Sequence, residues 1–264
     1  MKAYILESED EFKRLEEQSQ QIAYSVVEEL KPFYCILKKF QNGKVLDAGC
    51  GSGIVSKFLL NEFPNLDIDA CDLSDIRLHQ VKKTLDKKVN FFQHDLTNHS
   101  LENNKYDLII SRFVFEYFSD PVDVAKKMFN ALKPNGYLCI VDVDGLFLNF
   151  FTKDKKLNTQ LERISAQIKG VDLFCGRKLS NYFSESGFKK INQSIKVQSF
   201  FNEKDLALEK SNMSDRIEFA KPALMSIFKN EEEIEDFKQR YLKEMDDKNN
   251  TLFFNKFTVF AQKP

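Results

Sequence analysis

From Lys44 onward the chain alternates short apolar runs with amphipathic stretches, and this rhythm leaves few folds open. Val45–Ala48, Leu66–Cys71, Val89–Gln93, Tyr106–Ser111 and Tyr137–Val143 have strand length. Between them, apolar residues recur at helical spacing: Val55, Phe58, Leu59 and Phe63, then Ile76, Val81 and Leu85, then Val124, Met128, Phe129 and Leu132. Asp120-Pro121 has the signature of a helix start, with Asp as N-cap and Pro at the first position. Pro134-Asn135-Gly136 predicts a turn into the fifth strand. Repeated strand–helix alternation implies a doubly wound α/β fold, a mostly parallel sheet with helices on both faces.

Outside that rhythm the pattern is helical. Ser8 with Glu11 forms a capping box, followed by Phe12, Leu15, Ile22, Val26 and Leu30 on one helix face. A second, shorter helix is expected over Phe33–Phe40. Residues 145–176 hold an aromatic cluster (Phe147, Phe150, Phe151) and an amphipathic stretch. The alternation returns with a helix at Arg177–Ser186 and a strand at Phe188–Phe200. Helices rich in Glu, Asp and Lys fill 203–248, and Leu252–Gln262 is the last strand. The expected division is a helical cap at 1–43 and a core at 44–202 with 250–264. The core carries an insertion at 145–176, and 203–249 forms a helical lid.

A formal net charge of -1 gives no global positive field to attract nucleic acid or an acidic membrane. No apolar run approaches the roughly 20 residues of a membrane span. The acidic start after Leu6 is unlike a signal peptide, so a cytoplasmic protein is expected. Five cysteines without a C-x-x-C pair suit a reducing compartment. The three histidines lack metal-ligand spacing, and no metal is expected. A monomer or homodimer is anticipated.

The strongest local signal is Val45-Leu46-Asp47-Ala48-Gly49-Cys50-Gly51-Ser52-Gly53, which ends a strand and opens a helix. Glycines there let the backbone turn sharply and approach a ligand without a Cβ in the way. A dinucleotide fingerprint would read G-x-G-x-x-G; the sixth position from Gly49 is Ile54, and the spacing is G-x-G-x-G. Asp72 ends the second strand, where a carboxylate can accept both hydroxyls of a ribose. A helix N-cap role competes there, and Ser74 competes for that role. Asp95 follows the third strand and can hold an adenine amino group. Ser111, Arg112, Phe113 and Tyr117 follow the fourth, and Asp142 and Asp144 end the fifth on one side of the strand. All these clusters fall at carboxyl ends of successive strands, the edge at which open α/β sheets bind ligands.

In these segments the chain resembles the class I S-adenosylmethionine-dependent methyltransferases, in particular small-molecule enzymes of the broad bacterial type. The likeness runs through Tyr4, Arg14–Gln18, VLDAGCGSG (45–53), ACDLS (70–74), HDL (94–96), YDLIISRFVFEYFSDP (106–121), LKPNGYLCIVDVD (132–144) and GRKLSNYFSESGF (176–188). It implies a Rossmann-like seven-stranded sheet with the last strand antiparallel. It also implies S-adenosyl-L-methionine as cofactor, S-adenosyl-L-homocysteine as product and a small-molecule acceptor. Asp47, Gly49, Cys50 and Gly51 would belong to the cofactor loop, with both glycines along the methionine moiety. Asp72 with Leu73 would hold the ribose, and Asp95 and Leu96 would flank adenine. Ser111, Arg112 and Phe113 would form the segment beneath the sulfonium.

A sulfonium methyl is already activated, so alignment of the nucleophile does much of the work. A general base is needed only where the acceptor must lose a proton. Asp142 and Asp144 are the leading candidates for that task, with Tyr117 and Glu116 behind them. A non-catalytic adenosylmethionine-binding protein and a nicotinamide-dependent oxidoreductase are the competing readings.

Overall fold

The computed structural model describes residues 24–85, 88–200, 203–247 and 250–264. The Ser8 capping box, Tyr4 and the 14–18 segment lie outside these residues. Seven strands form one sheet: β1 (Lys44–Ala48), β2 (Asp67–Asp72), β3 (Val89–Gln93), β4 (Tyr106–Arg112), β5 (Leu132–Asp144), β6 (Lys189–Phe200) and β7 (Leu252–Gln262). Their order is β3-β2-β1-β4-β5-β7-β6. β3, β2, β1, β4 and β5 run parallel to one another, and β7 is antiparallel to both β5 and β6.

The helices are α1 (Val26–Leu30), α2 (Tyr34–Leu37), α3 (Ile54–Glu62), α4 (Asp75–Thr84), α5 (Pro121–Ala131), α6 (Lys155–Gln167), α7 (Leu179–Glu185), α8 (Glu203–Phe219), α9 (Lys221–Leu224) and α10 (Glu231–Met245). The expected helix over Phe33–Phe40 is instead one α-turn between two 3-10 turns, after Pro32 interrupts the helical pairing. Among the described residues no helix is long and apolar enough to cross a membrane.

Successive residues of β5 turn to opposite faces of the sheet. Tyr137, Cys139 and Val141 of β5 join α1, α3 and α4 in one core. Leu138 and Ile140 join α5 and α7 in the other. Central parallel strands covered on both faces explain why β1, β2 and β4 are buried at nearly every position. The turn expected at 134–136 is absorbed into β5 as an irregularity: pairing with β4 jumps from Tyr106↔Leu132 to Leu108↔Tyr137, and Asn135 takes φ +65°.

A third core has no counterpart on either face. Val143 of β5, Phe200 of β6 and Phe254 of β7 continue past the sheet into a cluster with Leu157 and Leu161 of α6, Met213 and Ile217 of α8, and Ile234, Phe237 and Tyr241 of α10. These helices therefore pack at the end of the sheet formed by the carboxyl ends of β5 and β6 and the start of β7.

Candidate functional site

The chain leaves β1 toward β2 on one side and returns to β4 on the other. Such a switch point opens a crevice at the strands' carboxyl ends. The loop after β1 lines it. Gly49 has φ +79°, and a Cβ there would stand 2.5 Å from Cγ2 of Val114, in the loop after β4. No other residue fits without displacing the far wall. The N–H groups of Gly49 and Cys50 both donate to the Cys71 carbonyl, at 2.8 and 2.9 Å, and fasten the loop to the end of β2. Burial pushes the Cys50 thiol well up, which leaves it a neutral packing group.

Asp72 ties the loop to β2 a second time. Its Oδ2 accepts from the Gly51 N–H at 2.8 Å and its Oδ1 from the Ser74 N–H at 3.0 Å. A carboxylate has about four acceptor positions, so each oxygen keeps capacity for a further donor. The capping role that competed for Asp72 goes to Ser74, whose side chain accepts from Arg77 N at the start of α4. Leu73 is half buried, and its carbonyl accepts from Gln93 Nε2 at 2.9 Å, joining the ends of β2 and β3. The geometry suits a nucleoside with an amino-acid tail: a carboxylate with spare acceptor capacity beside a glycine bend that a Cβ would block.

Asp47 is placed differently from the expectation. It is 1% exposed, and its Oδ2 accepts from the N–H and hydroxyl of Ser56 at 3.0 and 2.6 Å. It caps the first turn of α3 and shapes the loop from behind, and burial pushes its carboxyl up to about 6. Asp95 lies after β3 with Oδ1 accepting from the N–H groups of Thr97 and Asn98, an Asx-type turn. Leu96 is buried in the core beside it.

Across the crevice, the Ser111 hydroxyl donates to the Ala48 carbonyl at 2.7 Å and pins β4 to β1. Arg112 sends its side chain toward the N-terminal helix and not beneath a ligand. It donates to Glu29 at 2.6 and 3.0 Å and to the Tyr24 carbonyl at 2.8 Å. Lys256 donates to the same glutamate at 2.9 Å. Burial pushes Glu29 upward, but the two cations hold it below the ordinary range. Phe113 has φ +58°, a left-handed conformation that costs a non-glycine residue of order 1 kcal/mol. Its ring meets that of Tyr24 edge-on at 6.3 Å.

The acids of β5 face the segment 172–178, as the period of two requires. Asp144 accepts from Nε and Nη2 of Arg177, at 2.8 and 2.6 Å, and from its backbone N–H. It is thereby committed to an ion pair. Asp142 accepts from the Glu116 N–H at 3.2 Å and the Val143 N–H at 2.8 Å, and burial pushes it up to about 7. Tyr117 follows Glu116 in the 3-10 turn Phe115–Tyr117 and is half buried.

Sequence reasoning missed a second polar network above the crevice. The Tyr24 hydroxyl bonds both carboxylate oxygens of Glu209, and Arg216 donates to Glu209 at 2.9 Å and to the Tyr24 oxygen at 2.9 Å. Tyr24 and Glu209 are 185 residues apart. The one available signal was Glu209, Asn212 and Arg216, polar groups at helical spacing that share the inner face of α8.

A family model described as a methyltransferase domain matches residues 17–193. Malonyl-[acyl-carrier protein] O-methyltransferase 2 of Ilyobacter polytropus is 34% identical over 96 residues, 36% of this chain and 37% of that protein. The like-named protein of Priestia megaterium is 36% identical over 95 residues, 36% of this chain and 34% of that one. The match thus spans little more than a third of these relatives' length. Among solved structures, Haemonchus contortus phosphoethanolamine N-methyltransferase 2, in complex with phosphomonomethylethanolamine and S-adenosylhomocysteine, superposes with TM-score 0.54 at 20% identity, over 91% of this chain and 53% of that one. A putative methyltransferase of Bacillus halodurans superposes with TM-score 0.57 at 16% identity, over 87% of this chain and 98% of that one. These likenesses at low identity speak to the fold.

Proposed function

The chain belongs to the methyltransferase-domain family, with the class I S-adenosylmethionine-dependent fold, and from that premise we propose that it transfers a methyl group to a small-molecule acceptor by in-line displacement. Oxygen is the favoured acceptor atom, in keeping with the O-methyltransferase names of its curated relatives. The observation that carries the reading is the Asp72 carboxylate, held by the Gly51 and Ser74 N–H groups beside the glycine bend.

When bound, S-adenosylmethionine supplies a methyl group already activated on a sulfonium. Asp72 would hold the ribose hydroxyls with its spare lone pairs, supported by Leu73. Gly49, Cys50 and Gly51 would line the methionine end, and Asp95 with Leu96 would flank the adenine. Ser111 and Phe113 fix the opposite wall, and Phe113 carries that wall up to Tyr24. The helices α8–α10 would act as the lid that excludes water and orients the acceptor, since solvent exclusion strengthens every polar contact inside.

Calorimetry with S-adenosylhomocysteine tests the reading. The chain is expected to bind it, and Asp72→Ala to weaken binding about 100-fold, the loss of two charge-assisted hydrogen bonds at about 1.5 kcal/mol each. Near-normal affinity in the variant rejects the ribose assignment. Binding without transfer of labelled methyl to any acceptor would mark a binding protein and not an enzyme.

A further inference from the structure

The two edges of the sheet are protected to different degrees. β3 closes one edge with five residues, too short to offer much of a template. β6 forms the other, and among the described residues it pairs with β7 alone. An edge strand presents a row of unpaired N–H and C=O groups, which proteins blunt with bulges and lysines. The first part of β6 is blunted in this way: Lys189 and Lys190 begin it, Lys190 takes φ +46°, and the register with β7 shifts between Lys189 and Asn192. From Asn192 to Phe200 the pairing runs without a shift, and the only charge is that of Lys196.

Side chains of this second part divide by the period of two. Lys196 turns toward α1, where it donates to Glu28 Oε2 at 3.0 Å. Gln193 turns to the opposite face, its Oε1 accepting from the Ser180 hydroxyl of α7 at 2.9 Å. Ile195 and Val197 follow on that face and are 52% and 58% exposed. Single apolar residues on a surface are ordinary; two at neighbouring positions of one face, on an open edge, have the form of an interface.

We propose that two copies of the chain join through β6, antiparallel about a two-fold axis at Ile195, so that their sheets continue into one. The strand's own sequence selects both the occupant and the register. An isologous pairing sets each residue against another of the same strand, and directly opposed side chains meet on one face. With the axis at Ile195, that residue faces its own copy, and Val197 lies diagonal to it. Lys196 faces Ser194 of the second copy, and Asn192 faces Gln198. The two lysines become diagonal neighbours, each bringing the Glu28 carboxylate that neutralises it. An axis at Lys196 would set lysine against lysine. One at Ser194 would part the isoleucines and draw the irregular start of β6 into the pairing. The proposal is independent of the methyltransferase reading, since β4, β5 and β7 separate β6 from the strand that carries the glycine bend.

Sedimentation and cysteine cross-linking of the full chain test it. One strand per copy is a small interface, so monomer and dimer should exchange, with dimer dominant at about 100 μM. Ile195→Lys sets lysine against lysine at the axis and is expected to weaken association about 30-fold, with the melting temperature unchanged. In a Cys35→Ser background, which removes the exposed thiol, Ile195→Cys should give a covalent dimer under mild oxidation, because opposed Cα atoms lie about 5 Å apart. Ser199→Cys should not, since that position and its copy stand about 27 Å apart in this register. A chain that stays monomeric at about 100 μM overturns the proposal and leaves the edge to another partner. So does a dimer that Ile195→Lys leaves intact, or one that Ser199→Cys links as readily as Ile195→Cys.

Discussion

The crevice has two walls built on opposite plans. Below, the loop after β1 is held by contacts that are short in sequence or lie between neighbouring strands: Gly49 and Cys50 to Cys71, Gly51 to Asp72, Ser56 to Asp47. Above, Tyr24, Glu209 and Arg216 come from distant parts of the chain and satisfy one another in a dry interior. Backbone amides dominate the first wall and side-chain ions the second. A backbone cradle tolerates little change in shape, whereas a side-chain cluster can be rebuilt residue by residue. The lower wall therefore suits an invariant ligand and the upper wall a variable one.

Breaking the upper wall should show the largest effect. Arg216→Met leaves Glu209 buried without its cation and is expected to destabilise the fold by about 4 kcal/mol. Urea unfolding measures this, and S-adenosylhomocysteine should still bind the folded fraction. A loss of cofactor affinity in parallel with stability would mean that the two walls are not separable.

Gly49→Ala attacks the lower wall. A Cβ 2.5 Å from Val114 at φ +79° is expected to cost about 3 kcal/mol, overpacking and left-handed strain together. Here cofactor affinity should fall with stability, and a bound variant of normal affinity would show that Val114 simply moves aside.

The smallest effect sharpens the comparison through pH. Asp142 is pushed up to about 7 in the fold, against about 4 when unfolded, so its neutral form favours the folded state. That contribution is fully present below about pH 4 and is lost as pH rises through about 7. Between pH 6 and 8 the loss is expected to be about 1 kcal/mol, visible as a falling melting temperature. Asp142→Asn should flatten the curve. A slope that survives the substitution would assign the titration to another acid.

These two walls also divide what could be read from the sequence. The glycine bend, Asp72 and the strand alternation were legible because their contacts repeat with the period of strand and helix or fall within one loop. The seven-stranded sheet with its antiparallel last strand followed from the family likeness, and its strand order came from the structure. Asp47 and Arg112 were assigned toward the ligand because sequence gives their height on the strand and not the direction of the side chain. Odd or even position sends Asp47 toward Ser56 and Arg112 toward Glu29. The same period did place Asp142 and Asp144 on one face, but their different partners, Glu116 and Arg177, arrive from separate segments. Of the Tyr24–Glu209–Arg216 network only the α8 half left a trace, at helical spacing, since no local pattern announces a partner 185 residues away.

The last rungs between β6 and β7 pair Ser199 with Phe253 and Phe200 with Leu252. Both ends of the helical segment are thus clamped one strand-spacing apart, about 5 Å, before any helix begins. Closing a longer or shorter excursion between such fixed posts changes the cost only with the logarithm of its length. The sheet need not know what hangs from it. An ancestor of this chain could exchange one canopy for another, and with it one clientele for another, while the seven strands beneath stayed in register.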